Sequence, residues 1–236
     1  MNKNLAPYLG YALLIIRNNT IVLWWVGLLG LFSSMALLSR DTSLFWPVHL
    51  ALSLLSIVST PIIYGIYFEL IEDRYSSIPR IAKTYVLRYI WLIIRMYLPP
   101  IFLASIIVSF AAGSDPGGIL ELTLVGFSLI YLFVIPTYYV SGTQQGAILA
   151  GMSFLGRSIS SVSPLILAVL LLESAMLLVQ HQRSSGPDPG LLFMVIDFLI
   201  YFCASIGDYI IFIILIFILK ENHTPPPSEQ VDETNR

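Results

Sequence analysis

Apolar runs long enough to cross a bilayer, separated by short polar breaks, constrain this chain more than any motif in it. Six runs stand out, at positions 21–38, 44–68, 99–112, 119–140, 164–180 and 191–219. A spanning helix needs roughly 20 consecutive apolar residues; the shortest run, 99–112, approaches that by borrowing a turn from Arg95 to Leu98. Composition excludes a soluble helical domain, because 57% of the 236 residues are hydrophobic and only 11% charged, against roughly 25% charged in soluble domains. The fold class expected is all-α, a polytopic membrane protein with six transmembrane helices.

Three segments in front of these runs are expected to lie on the membrane rather than in it. Leu5 to Ile16 is apolar nearly all round but too short to span, which suits a surface or re-entrant helix. Arg17-Asn18-Asn19 follows where the small residues of a cleavage site would be needed, so this segment is expected to be retained. From Ile78 to Met96, the residues Ile78, Ile81, Tyr85, Tyr89, Leu92 and Met96 recur at steps of three and four, one helical face. Arg80, Thr84, Arg88 and Arg95 fall opposite, with Lys83 at the edge and Trp91 and Ile94 among them. A basic face against an aromatic-rich apolar face predicts an interfacial helix and a lipid or partner surface at Arg80, Lys83, Arg88 and Arg95. Between Gln144 and Ser160, Ile148, Met152, Leu155 and Ile159 form an apolar stripe, while Gly146, Ala150, Ser153 and Arg157 face away and would admit a neighbouring helix closely.

Each such segment ends in a similar junction: Leu14-Ile15-Ile16-Arg17, Leu92-Ile93-Ile94-Arg95 and Phe154-Leu155-Gly156-Arg157. Pro99, Pro100 and Pro164 behind the second and third suit the first turn of a new helix, where a missing N–H costs little. The expected organisation is therefore one membrane domain, 1–220, made of three units (5–75, 78–143 and 144–220). Each unit is a cytoplasmic-side surface helix feeding a transmembrane hairpin, with Arg17, Arg95 and Arg157 anchoring the junctions. Whether the units arose by duplication is left open by so short a match. The tail 221–236, with three prolines and several acids, reads as disordered.

Orientation follows from the cations. With both termini cytoplasmic, Lys3, Arg17, Arg74, Arg80, Lys83, Arg88, Arg95, Arg157, Lys220 and Arg236 lie inside, and only Arg40 and Arg183 outside. That asymmetry is what the positive-inside rule requires. Asn18-Asn19-Thr20 and Asn222-His223-Thr224 match the glycosylation pattern, but both fall on the cytoplasmic side.

Arg17-Asn18-Asn19 before the first run, Gly126 and Pro136 in the fourth, and the stretch from Gly146 to Arg157 with Ser153 and Leu155 carry a resemblance. In these the chain resembles a six-helix bacterial inner-membrane family related to the membrane domain found beside glycerophosphodiester phosphodiesterases, many of whose members stand alone. Relatives often have Pro-Gly where this chain has Val125-Gly126, and a more basic helix around Met152 and Gly156. The resemblance implies the fold and a bacterial inner-membrane location, and it supplies no catalytic residues; the soluble phosphodiesterase domain is absent from this sequence.

Three acids lie within the apolar runs: Glu173 in the fifth, Asp197 and Asp208 in the sixth. Each costs roughly 2.5–3.5 kcal/mol on insertion scales, so they form the candidate intramembrane polar site for a proton, a cation or a lipid headgroup. Asp197 and Asp208, eleven residues apart, share a helical face. The bland alternative is that these acids are protonated or hydrogen-bonded packing groups. Glu69, Glu72, Asp73 and Arg74 form an acidic exit beside the basic helix, read either as a solvated cap or as a docking surface. His49, His181 and His223 are dispersed, with His49 and His181 expected at the interface, and Cys203 is expected to be a small packing residue. No catalytic motif, metal cluster or cofactor fingerprint is present, and a net charge of −2 gives no reason to expect nucleic acid. The function expected is a non-enzymatic scaffold or accessory subunit of an envelope or transport assembly. The rival is a small transporter or lipid-handling protein using the intramembrane carboxylates. Membrane lipids, a membrane-protein partner or a second copy are the partners expected.

Overall fold

A computed structural model of the chain describes residues 5–36, 45–110, 123, 125–127, 129, 132–185 and 191–223. Among these, regular structure is α-helical throughout: α1 (Ala6–Asn18), α2 (Thr20–Ala36), α3 (Phe45–Ile71), α4 (Ile78–Phe110), α5 (Val134–Ser141), α6 (Gln144–Ser185) and α7 (Leu191–His223). Positions 37–44, 111–122 and 186–190, with the polar turns expected at 39–43 and 113–118, most of the fourth run and the tail beyond His223 lie outside the described residues. The first three residues of the tail expected to be disordered, 221–223, instead continue α7.

The last helix is the axis of the bundle. α7 packs against α1, α2, α3, α5 and α6, and Ile211 to Ile216 are buried without interruption. A helix that is apolar on every side loses that surface only by being surrounded, and Ile211-Phe212-Ile213-Ile214-Leu215-Ile216 has no polar side to turn outward. The outer half of α3 is mostly exposed, including Trp46, Leu50, Leu54 and Ile57, whereas Ile63, Tyr64, Tyr67 and Phe68 near its other end are core residues. Pro61 sits inside α3 without ending it, and Tyr139 of α5 donates its hydroxyl to the Pro61 carbonyl at 2.8 Å. A neighbouring helix is thus tied to the proline's own carbonyl, about one turn past the Ile57 carbonyl that the missing N–H leaves open.

Among the described residues three helices, spanning Trp46–Ile71, Ile78–Ile107 and Leu191–Glu221, are long and apolar enough to cross a membrane. Two bent pairs raise the number to five if each pair is one span. The first pair is α1 and α2, which meet at 79°. Asn19 breaks the helix there: its side-chain Nδ2 donates to the Ile15 carbonyl at 2.7 Å and its backbone N–H to that of Ile16. Two carbonyls left open by the end of α1 are thereby satisfied. The second bend lies within α6, where Gly146–Ile159 and Val162–Met176 meet at 111°. Both bends fall where a surface helix was expected to hand over to a span, just behind Arg17 and Arg157.

The middle junction differs. A surface helix ending at Arg95 and a new helix opening at Pro99 were expected, but Ile78–Phe110 is one helix that runs through Pro99 and Pro100. Its buried stripe explains why: Ile81, Tyr89, Leu92, Met96, Pro100 and Ala104 keep steps of three, four and eight across both prolines. Packing of this unbroken face compensates for the two missing N–H groups, whose loss alone would favour a break. Arg95 therefore stands within a helix rather than at its end. Its guanidinium lies over the Trp91 ring, 5.2 Å from the centroid, a cation–π contact.

The packing face of α6 is also rotated from the expected one. Ala147 and Gly151 are buried, while Met152 and Ile159, assigned to the apolar stripe, are exposed. Close approach does occur on this helix, but through Gly151: a Cβ there would lie 2.8 Å from the backbone of Val134 in α5. Gly146, Ala150 and Ser153, expected to provide that approach, are exposed instead.

Candidate intramembrane carboxylate site

Tyr64 and Asp208 form the centre of the candidate site. Tyr64, on α3, is 4% exposed and donates its hydroxyl to Asp208 Oδ2 on α7 at 2.5 Å. Its ring is fixed by aromatic neighbours from three other helices: Phe212 at 4.3 Å, Tyr209 at 5.7 Å, and Tyr89 and Tyr139 at 6.2 Å between centroids. A phenol so confined has little rotational freedom to lose, which makes it a preorganised donor.

Glu173 of α6 joins Asp208 in the same cavity, which has a volume of about 120 Å³ and is lined also by Tyr64, Met96, Tyr97 and Pro136. Asp208 lies twelve residues before Lys220, roughly 18 Å along α7. Glu173 lies eleven residues past Val162, roughly 16 Å along α6. The sharp bend in α6 sets that depth, because it redirects the helix just ahead of Val162 and sends Glu173 inward beside α7. Space, two acids and two phenols in one place can exchange a proton or hold a small cation.

Asp197 is not part of this cavity. It is 2% exposed and accepts a hydrogen bond from Ser34 Oγ of α2 at 2.6 Å. Sharing a helical face with Asp208 does not bring the two together, since eleven residues separate them by roughly 16 Å. Of the three expected acids, the structure unites Glu173 with Asp208 and gives Asp197 a helix-joining contact between α2 and α7.

The basic residues behave as their pattern implies. Arg80, Lys83, Arg88 and Arg95 are all exposed, opposite the buried stripe of α4, and Arg17 and Arg157 are exposed beside the two bends. Ile78 alone departs from its assigned face, being 56% exposed. The acidic exit is largely absorbed by the bundle itself. Glu69 accepts from Ser76 Oγ at 3.0 Å, and Glu72 pairs with Lys220 at 2.6 Å and Arg74 at 3.6 Å. Tyr8 of α1 donates to Glu221 at 2.5 Å, which brings α1 to the same end as Lys220.

Several residues that form these contacts escaped sequence reasoning. Tyr64 and Tyr97 were two of 13 tyrosines with no local signal to separate them. Ser34 and Lys220 act across 163 and 148 positions of chain, distances no local pattern reports. Cys203, expected to be packed, is exposed on α7. His49 lines a pocket of about 320 Å³ with Ser33, Ser53, Ser56 and Tyr201, at the far end of α3 from Glu72. Among the described residues no group of three or more His, Cys, Asp or Glu is placed to hold a metal ion.

No family model, curated protein or solved structure matches the chain.

Proposed function

We propose that this chain is a non-enzymatic integral membrane protein, a small transporter or lipid-handling protein that takes up a proton or small cation at Glu173 and Asp208. The cavity that joins these two carboxylates carries the reading. Two acids from different helices, placed roughly 16–18 Å along them, are costly when both are ionised. A shared proton or cation removes most of that cost, and its uptake and release is then the natural chemistry of the pair. A closed bundle without such a cavity would have favoured the scaffold or accessory-subunit reading instead.

The architecture proposed with it has six crossings in three hairpins, α4 being a single long helix in the second. The termini and the basic end of the bundle face the cytoplasm of a bacterial inner membrane. The support is the distribution of ten cations on one side against Arg40 and Arg183 on the other, together with the quoted likeness to the six-helix family. Lipids are the immediate partners, with a second copy or another membrane protein on the exposed faces.

Proteoliposomes with an interior pH dye, and a potassium gradient with valinomycin to set the potential, test this directly. Wild-type protein is expected to pass protons, or sodium in a matching tracer assay, and Glu173→Gln and Asp208→Asn to reduce the flux at least tenfold. Wild-type flux in both variants rules the reading out.

A further inference from the structure

We propose that the basic end of the bundle carries a binding pocket for a phosphate group, borne either by a lipid headgroup or by a small soluble phosphate ester. A pocket of about 470 Å³ opens there, where α3 ends, α4 begins and α7 ends. Among the described residues its charged lining is Arg74, Arg88 and Lys220 with the carboxylate of Glu72, an excess of two positive charges. That excess matches a phosphate monoester, with a charge of roughly −1.5 to −2 at neutral pH.

The cations come from three separate elements, and the structure fixes two of them. Glu72 holds Lys220 of α7 at 2.6 Å and Arg74, in the turn after α3, at 3.6 Å. The turn is shaped by Asp73, whose φ of 52° lies in the left-handed region and redirects the chain at Arg74. Arg88 lines the pocket from the basic face of α4. Guanidinium groups present paired N–H donors that fit phosphate oxygens, and a lysine adds a point charge. Thr84, Tyr85, Tyr138 and Ser141 also line the pocket. Phe68, Tyr139 and Val140 add apolar lining, which lowers the local dielectric and strengthens ion pairing. Arg80 and Lys83 of α4 carry the same charge but stand outside the lining, so the pocket is distinguishable from a generally basic surface. The site is separate from the Glu173–Asp208 cavity, with which it shares Tyr64's helix but no lining residue.

The experiment uses full-length protein in phosphatidylcholine nanodiscs. Inorganic phosphate is titrated in one arm, and phosphatidic acid, a monoester lipid, is introduced at about 20 mol% in the other, with the thermal unfolding midpoint and the apparent Kd as readouts. Wild type is expected to be stabilised in at least one arm. Stabilisation by phosphate in competition with the lipid identifies a soluble ester, and stabilisation by the lipid alone identifies a headgroup. Arg74→Gln with Arg88→Gln is expected to weaken binding at least tenfold, while Arg17→Gln with Arg157→Gln, removing equal charge at exposed positions outside the pocket and away from the basic face of α4, changes it less than twofold. Arg88→Lys, which keeps the charge and loses the fork, is expected to fall between them and guards against misfolding of the double variant. No stabilisation of wild type in either arm, or equal loss in both double variants, overturns the proposal.

Discussion

The hydroxyl of Tyr64 on α3 reaches Asp208 on α7 at 2.5 Å, while Tyr67, one helical turn further along α3, buries its hydroxyl with no hydrogen-bonding partner among the described residues. Two tyrosines three residues apart thus occupy opposite positions in the same polar ledger. The difference is one of geometry, since Tyr67 is fully buried against Tyr209 at 5.6 Å between ring centroids.

Removing each hydroxyl separates the two roles. Tyr64→Phe takes away a bond to an acidic group and is expected to destabilise the bundle by about 1–3 kcal/mol. Tyr67→Phe removes an unsatisfied buried group and is expected to be neutral or stabilising by up to about 1 kcal/mol. Reversible unfolding of both variants in mixed micelles reads the difference, and a Tyr67→Phe protein as unstable as Tyr64→Phe contradicts it.

Asp197 should behave as a structural acid. Asp197→Asn and Ser34→Ala are each expected to lower stability by about 0.5–2 kcal/mol, in the range of interhelical hydrogen bonds in membranes, and to leave ion flux within twofold of wild type. Because both remove the Ser34–Asp197 bond, the cost of the double variant should fall short of the sum of the two single changes. Flux lost in Asp197→Asn at unchanged stability would move this residue into the functional site.

Helix contacts through glycine give a third test. Gly151→Ala places a methyl group 2.8 Å from the Val134 backbone, and backbone cannot rotate away as a side chain can. A loss of about 1–3 kcal/mol is expected from this overpacking. Gly10→Ala, on α1 with nothing within 4 Å of the added atom, should instead gain up to about 1 kcal/mol of helix propensity. Thermal midpoints of the two variants are therefore expected to move in opposite directions.

The continuity of α4 is measurable as a distance. Spin labels at Arg80 and Ser109, in a Cys203→Ser background, are separated by 29 residues, so one helix places them roughly 43 Å apart. A right-angle junction at the prolines would bring them to about 32 Å by the same rise per residue. Pulsed electron resonance resolves these values, and the longer one is expected.

The membrane class, the buried stripe of α4 and the positions of two of the three expected junctions were legible in the sequence. They are local consequences of which residues recur at helical spacing and, at the first junction, of Asn19. The remaining junction failed because Pro99 and Pro100 carry a local preference that long-range packing of Leu92, Met96, Pro100 and Ala104 overrides. The acids were legible as unusual, since charge is costly in an apolar run wherever it stands. Only the tertiary structure decided that Glu173 meets Asp208 and Tyr64, while Asp197 meets Ser34. A helix's sequence states which face a residue occupies, but which neighbour covers that face depends on contacts made across 35 to 163 residues of chain.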